Sequence, residues 1–246
     1  MDGESADDLS GYSVSLSSDG SRVAIGAIYN DGRGSSSGHV RVYEYAAGVG
    51  WTQLGADLDG EAADDYSGYS VSLSSDGSRV AIGSPLNDGG AWAPYDVPSV
   101  GGRRRLRRAA RVGRRASERL GGVRVYEYAA GSGWTQLGAD LNGEAANDQF
   151  GYSVSLSSDG SRVAIGAPGN DSRGSSSGHV RVYEYTAGSG WTQLAFDLDG
   201  EGAGDRSGHS VTLSSDGSRV AIGATGNDGR GSSSGHVRVY SLGVSA

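Results

Sequence analysis

The sequence predicts an all-β, propeller-like array of four-stranded antiparallel blades. Three observations predict it: one phrase stands four times in the chain, apolar residues alternate with a period of two, and no repeat carries a helical period. The phrase Gly-x-Ser-Val-x-Leu-Ser-Ser-Asp-Gly-Ser-Arg-Val-Ala-Ile-Gly starts at Gly11, Gly68, Gly151 and Gly208 of the 246 residues. The first and last intervals are 57 residues and the middle one is 83, longer by 26. Three full repeats and one incomplete repeat follow, as blades over about 11–58, 68–141, 151–198 and 208–240, with a basic insertion over 89–122 of the second.

The third repeat shows each element in order. A first strand is expected over 152–157, where Ser alternates with apolar residues. Ser158-Asp159-Gly160-Ser161 then supplies turn chemistry, since Asp bonds its own backbone and Gly accepts positive φ. The second strand is expected over 162–167, and the Gly- and Ser-rich stretch 170–178 connects it to the third. That third strand, over 179–185, sets Val180 and Val182 on one face and Arg181, Tyr183 and Tyr185 on the other. After the turn 187–190 a fourth strand is expected over 191–194, and the acidic connector 197–201 leads to the next repeat. Such a blade is apolar on both faces, so it needs neighbours to cover it. The fourth repeat stops after its third strand, and the stub 1–10 holds only connector sequence, so nothing in the sequence closes the array.

Composition limits the functional classes. The formal net charge is -8, all 21 basic residues are Arg, and nine of those lie between Arg103 and Arg119. The repeats are therefore strongly acidic, a poor basis for nucleic-acid binding outside the insertion. There is no Cys, which excludes disulfides and thiolate chemistry. No run reaches the ~18 apolar residues of a membrane helix, and Met1 is not followed by the basic and apolar regions of a signal peptide. Two readings stand for the insertion. One is a basic segment for nucleic acid, an acidic partner or a membrane surface; the other is a gene-model artefact, because Ser codons shifted by one base read as Arg. If the insertion is genuine sequence, the expectation is a disordered loop that leaves the blades on either side intact.

At Phe150-Gly151 and Gly166-Ala167-Pro168 the third repeat spells the phrase of the FG-GAP repeat, and the array resembles the β-propellers of integrin alpha subunits. The other copies depart from it, with Ser10-Gly11, Ser67-Gly68 and Ser207-Gly208 in place of Phe-Gly. The resemblance implies an extracellular or cell-surface protein, an adhesion-like role and a protein or glycan ligand. It also implies seven blades in a closed ring, against four here, which leaves self-association through the incomplete last blade as an expectation. Many such blades bind calcium through alternating Asp residues between the first two strands. Here that turn has a single carboxylate, Asp19, Asp76, Asp159 or Asp216, so the site is not carried over.

Antiparallel order puts the second-to-third loops and the connectors at one end of every blade, and recognition is expected there. The candidate ligand-binding residues are Asn30, Asp31 and Arg33, Asn87 and Asp88, Asn170, Asp171 and Arg173, and Asn227, Asp228 and Arg230. The connectors add Asp57, Asp59, Glu61, Asp64 and Asp65, then Asp140, Glu144 and Asp148, then Asp197, Asp199, Glu201 and Asp205. These carboxylates read either as oxygen ligands to Ca²⁺ or as solvated acidic loops that keep a Gly-rich array soluble. His39, His179 and His236 share one position at the start of the third strand and are expected to be structural. Trp51, Trp134 and Trp191 are expected to pack between blades. No nucleophile constellation stands out among the many Ser. The chain thus reads as a non-catalytic repeat protein; the alternatives are a propeller-fold hydrolase or lyase and a structural array with no specific ligand.

Overall fold

In the computed structural model, residues 1–88, 119–194 and 196–243 are described. Their regular elements are all β-strands, gathered in chain order into four antiparallel sheets. The first sheet comprises Ser13–Leu16, Arg22–Ala27, His39–Ala46, Gly50–Gln53 and Leu58–Asp59. The second comprises Ser70–Leu73, Arg79–Ser84, Gly122–Ala129, Gly133–Gln136 and Leu141–Asn142, and the third Ser153–Leu156, Arg162–Ala167, His179–Thr186, Gly190–Gln193 and Leu198–Asp199. The fourth has three strands, Ser207–Leu213, Arg219–Ala224 and His236–Ser241.

The hairpin between the first two strands forms for the reason read from its residues. Asp19 accepts hydrogen bonds from the Ser17 hydroxyl at 2.7 Å and the Ser21 N–H at 2.9 Å, and Gly20 takes φ 71°. Register is the same in every copy, with Ser13 opposite Gly26, Ser70 opposite Gly83, Ser153 opposite Gly166 and Ser210 opposite Gly223. The long insertion shifts nothing across the second blade: Arg79 faces Glu127 as Arg22 faces Glu44. The Arg-rich segment itself lies outside the described residues, apart from its last members, Arg119 to Gly122.

One element differs from expectation. The connector after the fourth strand is not all loop, because Leu58–Asp59 and its copies pair with the first half of the third strand while Gly50–Gln53 pairs with the second half. The outer edge of the blade is therefore one strand broken in two. Burial explains it: Leu58 and Leu141 sit in the core between blades and draw the backbone back onto the sheet.

The core lies between blades. Val40, Val42 and Leu58 of the first blade meet Val71, Leu73 and Ile82 of the second. The same contact recurs between Val123 and Val125 and the side chains of Leu156 and Ile165, and again between Val180 and Val182 and the side chains of Val220 and Ile222. Each such Val, Leu or Ile contributes about 1.5–3 kcal/mol when fully buried. Polar pins fix the spacing. Ser13, Ser70 and Ser153 donate from their hydroxyls to the carbonyls of Gly68, Gly151 and Gly208 in the next blade, at 2.6, 2.8 and 2.8 Å. Trp134 and Trp191 donate their ring N–H to Leu54 and Leu137 of the preceding blade, both at 2.7 Å, as expected, whereas Trp51 of the first blade is exposed and lies against Tyr45 of its own blade.

Candidate functional site

The second-to-third loops and the connectors do gather at one end of the array. Gly60 N–H donates to Gly38 and Asp64 N–H to Ser35, which ties each connector to the loop of its own blade. Within the loop, Asn30 turns inward: its Oδ1 accepts from Gly32 N–H at 2.9 Å and its Nδ2 donates to Asp8 at 3.1 Å. Asn87, Asn170 and Asn227 are buried in the same way, bonded to Asp65, Glu144 and Glu201. These four Asn are latches between loop and connector rather than exposed contacts. Asp31, Asp171 and Asp228 are exposed and each accepts one N–H across its loop, from Ser36, Ser176 and Ser233. Arg33 and Arg173 reach out to Asp59 and Asp199 at 3.4 and 3.3 Å, and Arg230 is exposed. Asp88 stands last before the undescribed segment and is half-buried.

The connector carboxylates are engaged within the fold. Asp65, Asp148 and Asp205 are buried and accept from the N–H groups of Ala62, Ala145 and Gly202, which closes the connector turn. Asp64 pairs with Arg119, Asp140 accepts from Gln136, Glu61 accepts from Asn87, and Glu201 lies beside His236 and Arg238. Among the described residues, two groups have the donor atoms to hold a metal ion: Glu4, His39 and Asp57, and Glu144, His179 and Asp197. His179 is wholly buried, with Nδ1 3.9 Å from Glu144 and 3.8 Å from Asp197. Its imidazole is held neutral, below its ordinary value, by burial first and then by Arg181. Arg181 straddles both carboxylates, and its bond to Asp197 holds that acid below its ordinary value. Two carboxylates and one imidazole fall short of the six to eight oxygens Ca²⁺ takes and suit a transition metal better.

A second set of residues, absent from the loop reading, lines the inner rim of the same end. Leu9, Tyr66, Gln149 and Arg206 occupy one position of the connector and all adopt left-handed φ, between 54° and 58°. Residues of these types rarely do so, and each instance costs on the order of 1–2 kcal/mol. Three residues further on, Tyr12, Tyr69, Tyr152 and His209 form a row with ring centroids 5.0, 5.0 and 5.1 Å apart. Burial, then hydrogen bonding with Tyr12 and Tyr152, raises the Tyr69 phenol well above its ordinary value, so the row is uncharged there. Between the third and fourth blades the rim opens into a cleft of about 520 Å³, lined by Gln149, Tyr152, Asp171, Ser176, Arg206 and His209. The sequence carried a signal for part of this set: Leu9, Tyr66, Gln149 and Arg206 differ between near-identical copies over the same backbone geometry, and His209 alone departs from the repeated Tyr.

Residues 141–183 match the FG-GAP repeat family. Comparison with curated proteins gives no match. Among solved structures, the chain is similar to the hydrazine synthase of Kuenenia stuttgartiensis, with TM-score 0.51 and 16% identity over 94% of this chain and 58% of that one. It is also similar to a candidate 6-phosphogluconolactonase of Bacteroides uniformis, with TM-score 0.55 and 12% identity over 95% of this chain and 54% of that one. The chain thus spans little more than half the length of these structures, and at such identities the likeness is one of fold. No helix of the described residues is long and apolar enough to cross a membrane.

Proposed function

We propose, from the match of residues 141–183 to the FG-GAP repeat and from the strand plan that the first two units share in full and the fourth in its first three strands, a non-catalytic recognition array that binds a protein or glycan at its inner rim. FG-GAP repeats are typical of extracellular proteins, and an extracellular or cell-surface setting belongs to the same proposal. The observation that carries the reading is the combination of a repeated backbone with unrepeated side chains. Leu, Tyr, Gln and Arg stand in turn at one strained position, beside Tyr, Tyr, Tyr and His. Strain kept at four equivalent points, each with a different side chain, supports a role for those side chains outside the fold. The aromatic row offers stacking faces, and Gln149, Arg206 and Asp171 offer hydrogen-bonding groups beside it.

The test is a screen of the whole chain against extracellular protein and glycan arrays, alongside a variant carrying Gln149→Gly and Arg206→Gly. Glycine is relaxed at positive φ, so the variant keeps its melting temperature. The reading expects a specific ligand for the wild type and loss of that ligand in the variant. A wild type that binds nothing, or a variant that binds as well, contradicts it. A hydrolase or lyase reading draws on the same cleft, where Arg206 and His209 break the repeat pattern. It expects the captured ligand to be chemically altered on incubation, and recovery of unaltered ligand counts against it.

A further inference from the structure

The two end faces of the array are copies of faces that are buried everywhere else. On the first blade Val14 and Leu16 are 64% and 59% exposed, whereas Val71 and Leu73, the same residues one blade later, are 9% and 8% exposed against the preceding sheet. On the fourth blade Val237 and Val239 are 69% and 65% exposed, whereas Val40 and Val42 at that position in the first blade are 0% and 1%. Inside the array the second of these surfaces always covers the first. From this we infer that the fourth blade of one copy docks on the first blade of a second copy, head to tail, repeating the internal blade contact. The inference is independent of the rim ligand.

Polar groups on the two ends match as well as the apolar ones. At each internal junction an Arg of the second strand crosses to the next hairpin: Arg22 to the Gly77 carbonyl at 3.3 Å, Arg79 to Gly160 at 3.2 Å, and Arg162 to Gly217 at 3.0 Å. Arg22 and Arg79 also lie over the rings of Tyr128 and Tyr185 in the next blade. The fourth copy, Arg219, faces Ser241 where the others face Glu, and its guanidinium has no partner among the described residues. Its counterparts on the first blade are the Gly20 carbonyl and the half-exposed ring of Tyr45. Backbone groups extend the match. Ser18, Ser75 and Ser158 each donate an N–H to the Ser carbonyl of the following blade, which leaves the Ser215 N–H at one end and the Ser18 carbonyl at the other to continue the series.

The contact is three strands wide. Trp134 and Trp191 bond to the outer strand of the blade before them, and the fourth blade has no outer strand among the described residues, so Trp51 stays at the margin. Such a junction is heterologous: the surfaces are different, and the joined pair retains one free face of each kind, the first blade of one copy and the fourth blade of the other.

Sedimentation velocity of the whole chain over a dilution series tests this. The wild type is expected to exceed the mass of one chain and to fall to it on dilution. Leu16→Glu and Val239→Glu each abolish association, and both positions are solvent-exposed in the single chain, so folding survives. Mixing the two variants restores a two-chain species, because one intact face of each kind remains. Arg219→Gln raises the dissociation constant about tenfold, while Trp51→Ala leaves it within about twofold. A wild type that stays a single chain at every concentration overturns the proposal. So does association that survives either glutamate, or a mixture that stays monomeric.

Discussion

Asp19, Asp76, Asp159 and Asp216 each close a first hairpin with one carboxylate, and they make the stability of the array depend on acid. Asp19 is held at about 2 by the Ser21 N–H and then by the Ser17 and Ser21 hydroxyls, and Asp216 at about 2 by the Ser214 hydroxyl and the Ser218 N–H. For Asp76 and Asp159 burial pushes upward, yet the hydrogen bonds from flanking Ser residues outweigh it and both remain lowered. A carboxylate depressed below its ordinary 3.8 in the fold contributes above that value, and the contribution disappears as pH falls toward 2. His179 acts in a higher window. Burial and Arg181 lower it against the pull of Asp197, Glu144 and Asp148, so the unfolded chain takes up the proton first. Its contribution is complete above 6.5 and shrinks as pH falls below that value. Melting temperatures followed from neutral pH down to about pH 2 therefore decline in two stages. His179→Gln shrinks the first stage and leaves the second; a wild type whose stability is flat until the acid window contradicts this assignment.

At the scale of the blade, close packing of inner strands sets the spacing. A Cβ built on Gly166 would lie 2.1 Å from the Gly208 carbonyl oxygen of the next blade and 2.4 Å from Ser153 Oγ. Neither neighbour can move, because the Ser153 hydroxyl is itself bonded to Gly208. Gly166→Ala is expected to destabilise the protein by about 3 kcal/mol, as a backbone overlap inside a packed junction. Gly202→Ala, with nothing within 4 Å of the added carbon, should change stability by less than about 0.5 kcal/mol. Urea unfolding of the two variants decides this, and equal effects would show that the junction is looser than described. The second strand at Arg162–Ala167 was legible in the sequence to the residue, because alternation and a Ser-Ser-Asp-Gly turn define it. The strand at Leu58–Asp59 was not, since two residues cannot display a period and only the neighbouring blade explains their burial.

The whole molecule is a stack in which identical sequence meets different surroundings. The three-stranded fourth sheet of the described residues matches a fourth repeat that carries the phrases of only three strands. The end that gathers the loops follows from strand order. Which side chains face outward at that end did not follow, because Asn30 and its copies look like polar loop residues in sequence and become buried latches only when the preceding connector folds over them. The rim residues were hidden for the opposite reason: Tyr66, Gln149 and Arg206 sit in a connector whose left-handed backbone no local pattern reveals. The central claim is that a blade owes its stability to the blade beside it, and Leu16 and Leu73 test it most directly. They occupy the same strand position in the same sequence phrase, one exposed and one covered. Measured by chemical unfolding at a dilution where the chain is single, Leu73→Ala should cost about 2–5 kcal/mol and Leu16→Ala less than about 0.5 kcal/mol. Equal losses at the two positions would contradict the claim.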